Sequence, residues 1–347
     1  METVTNIKKA TITEIAKEAG VSKTTISRVL SKSSHVNKDT REKVLKIIKE
    51  KGYKPSMVAQ SLRTKKTRTI GLVLEDIENP FYVRLAKGVL DTAVGKNYSV
   101  ILNNYNYDQK LYEKNIETLI RRGVDGLLLT TFKLRKNIIE YIRKNGIPFL
   151  LIDYKLDLPN VNYVVNDDYY GAKLATEYLI NLGHRKIFFL GNMDIPSLNE
   201  RFRGFRDTLK QHKINFSKTM APKYVNVDDI YNVVENLFRK REDTTAIFAG
   251  NDYMAIKAIE VLNKNGFTIP DNVSIIGYDD LKVSSMLKVP LTTIKQPKYR
   301  LGKLAMEQLL EIMENRSEKS VRRIILRPEL VIRKSCRSID GKKSYVI

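Results

Sequence analysis

Residues 22–30, SKTTISRVL, bring together side chains that can bind both bases and phosphates. The guanidinium of Arg28 and the ammonium of Lys23 can donate to the O6 and N7 acceptors of guanine in the major groove. Hydroxyls such as those of Thr24 and Ser27 suit phosphate oxygens. These residue types indicate contact with nucleic acid. The alternative is that Lys23 and Arg28 are only solvated charges on a helix.

Short helices must hold these side chains in place. Helical spacing predicts a first helix whose inward face is Ile12, Ile15, Ala16 and Ala19. Thr11 or Thr13 can cap its start, and Gly20 can supply the positive φ of a tight turn. Ser22 can then cap a second helix, with Ile26, Val29 and Leu30 inward.

A third helix is predicted over residues 38–51, capped by Asn37, with an inward face of Val44, Leu45, Ile47 and Ile48. A helix, a glycine-containing turn and a capped second helix form a helix-turn-helix, whose second helix enters the major groove. We therefore predict contacts with double-stranded DNA from Thr11, Thr13, Ser22, Lys23, Thr24, Thr25, Ser27, Arg28 and Asn37.

The charge distribution agrees with a polyanionic partner. Residues 1–68 hold 17 Lys and Arg against 6 Asp and Glu, which is half of the net charge of +22 in about one fifth of the 347 residues. Such asymmetry is typical of a segment that meets nucleic acid. A basic surface kept for solubility is the alternative.

Few residues in the sequence could support enzymatic catalysis. Cys336 is the only cysteine, and the histidines are scattered along the chain, at His35, His184 and His212. No metal site and no cofactor are therefore expected. Phosphate-binding glycine loops and the Gly-x-Ser-x-Gly pattern are absent, and the acid pair Asp167 and Asp168 is better explained as a helix cap. We expect a protein that is not an enzyme.

The chain shows no sign of a membrane partner. Its first ten residues, METVTNIKKA, lack the apolar core of a signal peptide. No run approaches the roughly 18 apolar residues of a membrane span. A cytoplasmic location is expected.

From residue 68 onward, apolar runs alternate with amphipathic helices. TIGLVL, YSVILN, DGLLLT and IPFLLID form one series, and KIFFLGN, TAIFAGN and VSIIGYDD form another after NYVVN. Strands that alternate with helices of this length predict parallel sheets covered on both faces. The expected fold is an all-α helix-turn-helix domain followed by an α/β core of two doubly wound lobes.

The N-terminal stretch TITEIAKEAGVSKTTISRVLSKSSHVNKDTREKVLKIIKEKGYKPSMVAQSLRTKKTRTIGLVL resembles the lactose-repressor and purine-repressor family of bacterial regulators. The resemblance continues at lower density to LRPELVIRKSC and covers nearly the whole chain. It implies a core like that of periplasmic sugar-binding proteins, with TTIKQPKYRLGKLAMEQLL returning to the first lobe. The predicted domains are residues 1–54, a hinge at 55–68, a core at 69–337 and a basic tail at 338–347.

The hinge YKPSMVAQSLRTKKTR is too short to form a stable helix alone. The resemblance implies that it folds on DNA, where two such helices from a dimer enter the minor groove. Ala59 and Leu62 would contact DNA there, with Leu62 wedged between base pairs, a general device for bending the duplex. A plain interdomain linker is the alternative.

The resemblance also implies a pocket for a small-molecule effector at the ends of the strands. Its residues would be Glu75, Asn79, Phe81, Thr130, Asp153, Asn166, Arg201, Asn251, Asp279 and Gln296. Carboxylates, amides, an arginine fork and an aromatic ring suit a sugar. In the alternative, Asp279 only caps a turn and Phe81 belongs to the core.

Glu75 argues against an anionic effector unless Arg201 and a lysine neutralise it. A neutral sugar therefore ranks first, a sugar acid second and a nucleobase third. The sequence predicts a homodimeric repressor of carbohydrate-utilisation genes that binds a pseudo-palindromic operator. A regulator that answers to a phosphorylated carrier protein, and a purine-responsive co-repressed regulator, stay open.

Overall fold

The structure is a computed structural model, and it describes residues 10–31, 34–53, 64, 66–131, 133–156, 158–217, 220–221, 229–240, 243–315 and 321–339. The chain divides into two units, Met1–Thr67 and Arg68–Ile347. Ala59, Leu62 and most of the predicted hinge lie outside the described residues, as does the tail from residue 340 onward.

The described part of the first unit contains the three predicted helices, α1 (Ile12–Ala19), α2 (Lys23–Leu30) and α3 (Lys38–Glu50). Their inward residues share one small core, in which Ile15, Ile26 and Val44 are fully buried. Gly20 ends α1 in the left-handed conformation, with φ of 68°. The predicted turn chemistry is therefore present.

In the first unit, the structure decides between the two predicted caps of α1 and corrects one predicted inward residue of α3. Thr11, not Thr13, caps α1: its hydroxyl accepts from the Glu14 amide, and the Glu14 carboxylate accepts from the Thr11 amide. Leu45 was predicted to point inward but is 46% exposed, because the inward stripe of α3 is formed by Val44 and Ile47.

The first lobe of the second unit is built on a six-stranded parallel sheet. Its strands are β1 (Thr69–Leu74), β2 (Ser99–Asn104), β3 (Gly126–Thr130), β4 (Phe149–Ile152), β5 (Tyr163–Asn166) and β10 (Arg323–Leu326), in the order β10-β5-β4-β3-β1-β2. The helices of this lobe are α4 (Pro80–Gly95), α5 (Gln109–Arg121), α6 (Lys136–Lys144) and α11 (Lys298–Glu314).

The second lobe has a five-stranded sheet, ordered β11-β9-β8-β7-β6, with β11 antiparallel. Its strands are β6 (Ile187–Leu190), β7 (Ala246–Ala249), β8 (Ser274–Asp279), β9 (Thr292–Lys295) and β11 (Glu329–Val331). Its helices are α7 (Asp168–Asn181), α8 (Pro196–Gln211), α9 (Ile230–Lys240) and α10 (Asp252–Lys264), with a 3₁₀ turn at Lys282–Ser285.

Helices cover both faces of each sheet, so the central strands are buried along their whole length. In the first lobe, α4 and α11 pack on one face and α5 and α6 on the other. Gly88 and Gly302 let α4 and α11 approach closely, since a Cβ on either would overlap the backbone of the partner helix. This layering is the expected architecture of two doubly wound lobes.

The chain crosses between lobes three times, after β5, after β9 and after β10. One expectation was wrong in part: the strand TTIK, β9, belongs to the second lobe, paired with β8, and only α11 returns to the first. The strand that completes the first sheet is β10, paired with β5. Helix α9 and strands β10 and β11 were not predicted.

Among the residues that the structure describes, no helix combines the length and apolar character needed to cross a membrane.

Candidate functional site

The surface of α2 carries the predicted base-reading side chains. Lys23, Thr24 and Arg28 are exposed, and Ser27 is half-buried. Thr24 and Arg28 are four residues apart, and so are Lys23 and Ser27, which places these pairs on one face of the helix. Ile26 and Val29 fix the opposite face to the core. The helix thus presents a cationic, hydroxyl-bearing face outward.

The remaining polar residues of this region shape the backbone. The Ser22 hydroxyl accepts from the Thr25 amide at 3.1 Å and lies 3.0 Å from the Thr25 hydroxyl. The Asn37 side chain accepts from the Thr40 amide at 2.8 Å. Thr13 is exposed on α1. Caps of this kind leave other helix N-terminal amides available to an anion such as phosphate.

A cleft lies between the two lobes, where the carboxyl ends of the parallel strands meet. From the first lobe it is lined by Glu75, Asn79, Phe81 and Asp153. From the second it is lined by Arg201, Asn251 and Asp279, with Gln296 at the second crossing. Eight of the ten predicted pocket residues therefore share one cleft.

The other two predicted residues, Thr130 and Asn166, lie behind the lining. The Thr130 hydroxyl accepts from the Glu75 amide at 3.1 Å and donates to the Val73 carbonyl at 3.2 Å. It holds the end of β1 against β3 and so positions Glu75. Asn166 is buried between the carboxylate of Asp153 and the side chain of Gln296.

Arg201 is the cation of this cleft, and the fold already holds it firmly. Its Nε donates to Asp168 at 2.8 Å, and one Nη donates to the Gly250 carbonyl at 2.7 Å. The guanidinium carbon lies 3.8 Å from the centroid of the Tyr278 ring. Burial disfavours the charge, but the carboxylates of Asp168 and Asp279 keep the pKa of Arg201 above its ordinary value. Asp167 caps α7 as expected, whereas Asp168 pairs with Arg201.

Of the carboxylates that line the cleft, Glu75 and Asp279 are buried and Asp153 is half-buried. Burial raises the pKa of Glu75 to about 7, although the hydroxyl of Tyr82 donates to it. Burial likewise raises the pKa of Asp279 to about 7 against the opposing effect of Arg201. Burial and the negative charge of Asp168 raise the pKa of Asp153. Near neutral pH, part of this acid cluster holds protons.

Hydrogen bonds connect the acids of the two lobes. The amide of Asn166 donates to Asp153 at 3.1 Å and to Gln296 at 2.6 Å, and Gln296 donates to Asp279 at 2.5 Å. We call this chain of four side chains the interlobe relay. Lys298, at the start of α11, donates to the carbonyls of Asp279 and Asp280. The interlobe relay therefore includes a residue at each of two crossings between the lobes, Asn166 at the end of β5 and Gln296 after β9.

Two lining amides also cap helices. Asn79 accepts from the Phe81 amide at 3.0 Å, at the start of α4. Asn251 accepts from the Met254 amide at 2.8 Å, at the start of α10. Their carbonyl oxygens are occupied, but each NH₂ group can still donate to a ligand.

Five lining residues were not predicted: Tyr82, Tyr107, Ile195, Ser197 and Leu198. Tyr107 lies three residues after the end of β2, so the rule that polar and aromatic residues beyond strand ends form the site would have found it. Tyr82 follows Phe81 in sequence, but nothing in the sequence distinguishes it from core. No group of metal-binding side chains occurs among the described residues.

Two family models account for most of the chain. Residues 11–56 match "Bacterial regulatory proteins, lacI family", and residues 67–334 match "Periplasmic binding proteins and sugar binding domain of LacI family". The chain belongs to the LacI family. This membership confirms the resemblance and the fold class, and it identifies a DNA-binding transcriptional repressor with an effector-binding domain, not an enzyme.

Within the LacI family, the chain is 37% identical to the HTH-type transcriptional repressor PurR of Haemophilus influenzae (strain PittEE) over 341 residues, covering 95% of this chain and 99% of PurR. It is 33% identical to the ribose operon repressor of H. influenzae (strain ATCC 51907 / DSM 11121 / KW20 / Rd) over 332 residues, covering 95% and 99%.

Two solved structures extend the likeness. The Lac repressor dimer bound to operator and the anti-inducer ONPF is 26% identical with a TM-score of 0.82, covering 95% of this chain and 100% of that one. A LacI-family regulator from Enterococcus faecium with bound ribose is 31% identical with a TM-score of 0.71, covering 78% and 99%.

Proposed function

We propose that this LacI-family repressor controls carbohydrate-utilisation genes and that its effector is a small neutral sugar bound in the interlobe cleft. The observation that carries the proposal is the acceptor-rich lining. Glu75, Asp153 and Asp279 face one guanidinium, that of Arg201, whose charge Asp168 already balances. Sugar hydroxyls can donate to all three acids without bringing in a charge.

The same charge balance disfavours an anion. A carboxylate or phosphate group would enter a buried site beside three acids, with Arg201 already paired. Lys298, whose ammonium lies against the backbone of Asp279, is bound to backbone carbonyls, and burial lowers its pKa. A sugar acid or sugar phosphate therefore fits less well than a neutral sugar. The ribose operon repressor among the relatives, and the ribose bound to the E. faecium regulator, support the sugar class.

On DNA, we propose a homodimer with one α2 in each half-site of a pseudo-palindromic operator. Arg28 and Lys23 would contact base edges, and Thr24, Ser27 and the capped helix starts would contact phosphates. The hinge, with Ala59 and Leu62, would fold in the minor groove. Effector binding would change hinge order by shifting the lobes, a disorder transition that sets DNA affinity. The Lac repressor dimer on its operator supports this arrangement.

A purine is the second candidate effector. It is favoured by the PurR relatives, one of which is 37% identical over 341 residues. A purine ring would bring N–H donors to the acids and a flat face to the aromatic residues of the cleft.

The experiment is calorimetric titration of the full chain with neutral pentoses and hexoses, sugar acids, sugar phosphates and purine bases. Binding of neutral sugars alone is expected. Binding of a purine base with no sugar response would establish the second candidate, and tight binding of a sugar phosphate would contradict the charge argument. Asp279→Asn, which keeps the shape and removes the acid, should weaken binding of the sugar that the wild type binds best.

Each titration is paired with a melting curve. A ligand present at 100 times its dissociation constant should add about 2.7 kcal/mol to the free energy of unfolding. The unliganded Asp279→Asn variant must melt cooperatively for its lost binding to count.

A further inference from the structure

The aromatic residues that line the described cleft are not equivalent. Phe81 and Tyr82 are 5% and 6% exposed and pack edge to face, with ring centroids 5.1 Å apart. Tyr107 is 43% exposed although it lines the same cleft. Of these three rings, Tyr107 therefore keeps the largest exposed surface.

Tyr107 has an energetically unfavourable backbone conformation. Asn106 and Tyr107 both have positive φ, at 45° and 59°. A left-handed conformation is ordinary for asparagine but unfavourable for a bulky residue such as tyrosine. Such strain persists where the surroundings enforce it, and it is concentrated at functional sites.

The turn is braced on both sides. The Asn104 amide donates to Asn106 at 2.5 Å, and its carbonyl oxygen accepts from the Ile77 backbone at 3.1 Å. The Asp108 amide donates to the Tyr105 carbonyl at 2.8 Å, and Asp108 then caps α5. Asn104 thus ties the loop after β1, which carries Glu75, to the turn that carries Tyr107.

The electrostatic surroundings also place Tyr107 at the acid cluster. Burial, followed by the negative charges of Glu75 and Asp76, raises the pKa of its hydroxyl, and Asp279 of the opposite lobe adds to this effect. The same hydroxyl is hydrogen-bonded to Tyr82, which donates to Glu75. The ring therefore stays neutral, and its hydroxyl is held at the acid cluster while 43% of the residue remains exposed.

We propose that Tyr107 is the aromatic platform on which the apolar ring face of the effector rests, and that it determines specificity for cyclic over open-chain polyols. This inference rests on the proposed neutral-sugar function. The acids would accept from the hydroxyls at the sugar edge while Tyr107 covers the C–H face. Apolar and aromatic surface combined with a few convergent polar groups is the usual composition of a small-molecule site.

The test compares two variants of the full chain. Tyr107→Phe keeps the ring and removes the hydroxyl, whereas Tyr107→Asn removes the ring and introduces a residue that tolerates the left-handed conformation. D-ribose and the other neutral pentoses and hexoses are titrated by calorimetry, with the open-chain alditol of the best binder alongside. We expect Tyr107→Asn to weaken binding of the cyclic sugar about tenfold and that of the alditol much less. Tyr107→Phe should stay within about threefold of wild type.

Equal sugar binding by wild type and Tyr107→Asn would overturn the proposed platform. A loss of binding in Tyr107→Phe as large as that in Tyr107→Asn would also overturn it, because the hydroxyl and not the ring would then contact the sugar. If the wild type binds no neutral sugar, the proposed function fails and the platform fails with it. The chain contains no tryptophan, so Tyr107→Trp introduces a single indole at this position. A sugar-dependent shift of its emission is expected, and an unchanged emission at saturation would contradict contact with the ring.

Discussion

The face of α2 and the interlobe cleft are both polar, yet they are built in opposite ways. Lys23, Thr24 and Arg28 are exposed on a helix whose core lies behind them. Arg201 and Asp279 are buried, and Asp153 is half-buried. Arg201 pairs with Asp168, and the interlobe relay joins Asp153 to Asp279. Polar residues on α2 act one by one, whereas those of the cleft act as a unit that also stabilises the fold. Substitutions on α2 should therefore change DNA binding alone, whereas substitutions in the cleft should also change the free energy of unfolding.

The largest difference is expected from removing an arginine. Arg201→Ala leaves the buried Asp168 without its partner, and the free energy of unfolding should fall by about 3–5 kcal/mol. Arg203→Ala is the matched control on the same helix, since its pair with Glu200 is half-exposed and should contribute less than about 1 kcal/mol. Urea denaturation of both variants measures the contrast. Equal losses would show that burial of the pair does not matter.

A pH series should separate the cleft acids from surface acids. The pKa of Glu75 is raised from 4.5 to about 7, so from about pH 4.5 to 7 the unfolded chain loses a proton that the native state keeps. This contribution to stability is therefore fully present at low pH and is lost as pH rises through about 7. Relative to wild type, Glu75→Gln should gain about 3 kcal/mol of stability between pH 4 and pH 8.

The matched control for this series is Glu78→Gln, a substitution of an exposed acid in the same loop. The side chain is exposed, and a surface substitution of this kind should change the free energy of unfolding by less than about 0.5 kcal/mol. Urea midpoints at pH 4, 6 and 8 provide the measurement. A Glu75→Gln curve parallel to wild type would mean that this carboxylate is better solvated than its burial implies.

On α2, the effect should appear in DNA binding and not in stability. Arg28→Ala should weaken binding to the preferred sequence by about 1–3 kcal/mol and change the free energy of unfolding by less than about 0.5 kcal/mol. Selection from random duplexes, followed by anisotropy titrations at several salt concentrations, measures both preference and affinity. If Arg28→Ala instead lowered the slope of log affinity against log salt concentration by about 0.9 without changing the sequence preference, Arg28 would be assigned to a phosphate contact.

The smallest predicted effect distinguishes two neighbouring threonines. Thr11→Ala removes the capping box of α1 and should cost about 1 kcal/mol, whereas Thr13→Ala should be nearly neutral. Thermal unfolding and amide exchange in α1 provide the measurement. Equal effects of the two substitutions would contradict the assignment of the cap.

The sequence predicted local features well. Gly20, Ser22 and Asn37 occupy the predicted turn and cap positions. Periodicity and capping act over a few residues, so a single sequence reveals them. Leu45 was placed wrongly: it is exposed, and α3 buries Val44 and Ile47 instead.

Long-range features were harder to predict. The assignment of β9 to the second lobe depends on pairing with β8, which no local pattern in TTIK reveals. Most of the pocket residues were named from the family resemblance, not from their spacing. Thr130 and Asn166 were assigned to the pocket because strand ends alone do not tell lining residues from those behind them.

The sequence by itself determined the helix-turn-helix and the alternation of strands and helices, because these follow from side-chain type and short spacing. Only the tertiary structure decided that Asp168 neutralises Arg201, that Asn166 and Gln296 join the acids of the two lobes, and that Tyr107 is the exposed ring of the cleft. Each of these depends on segments brought together from distant parts of the chain, and burial there sets the charge state of groups that would otherwise be solvated.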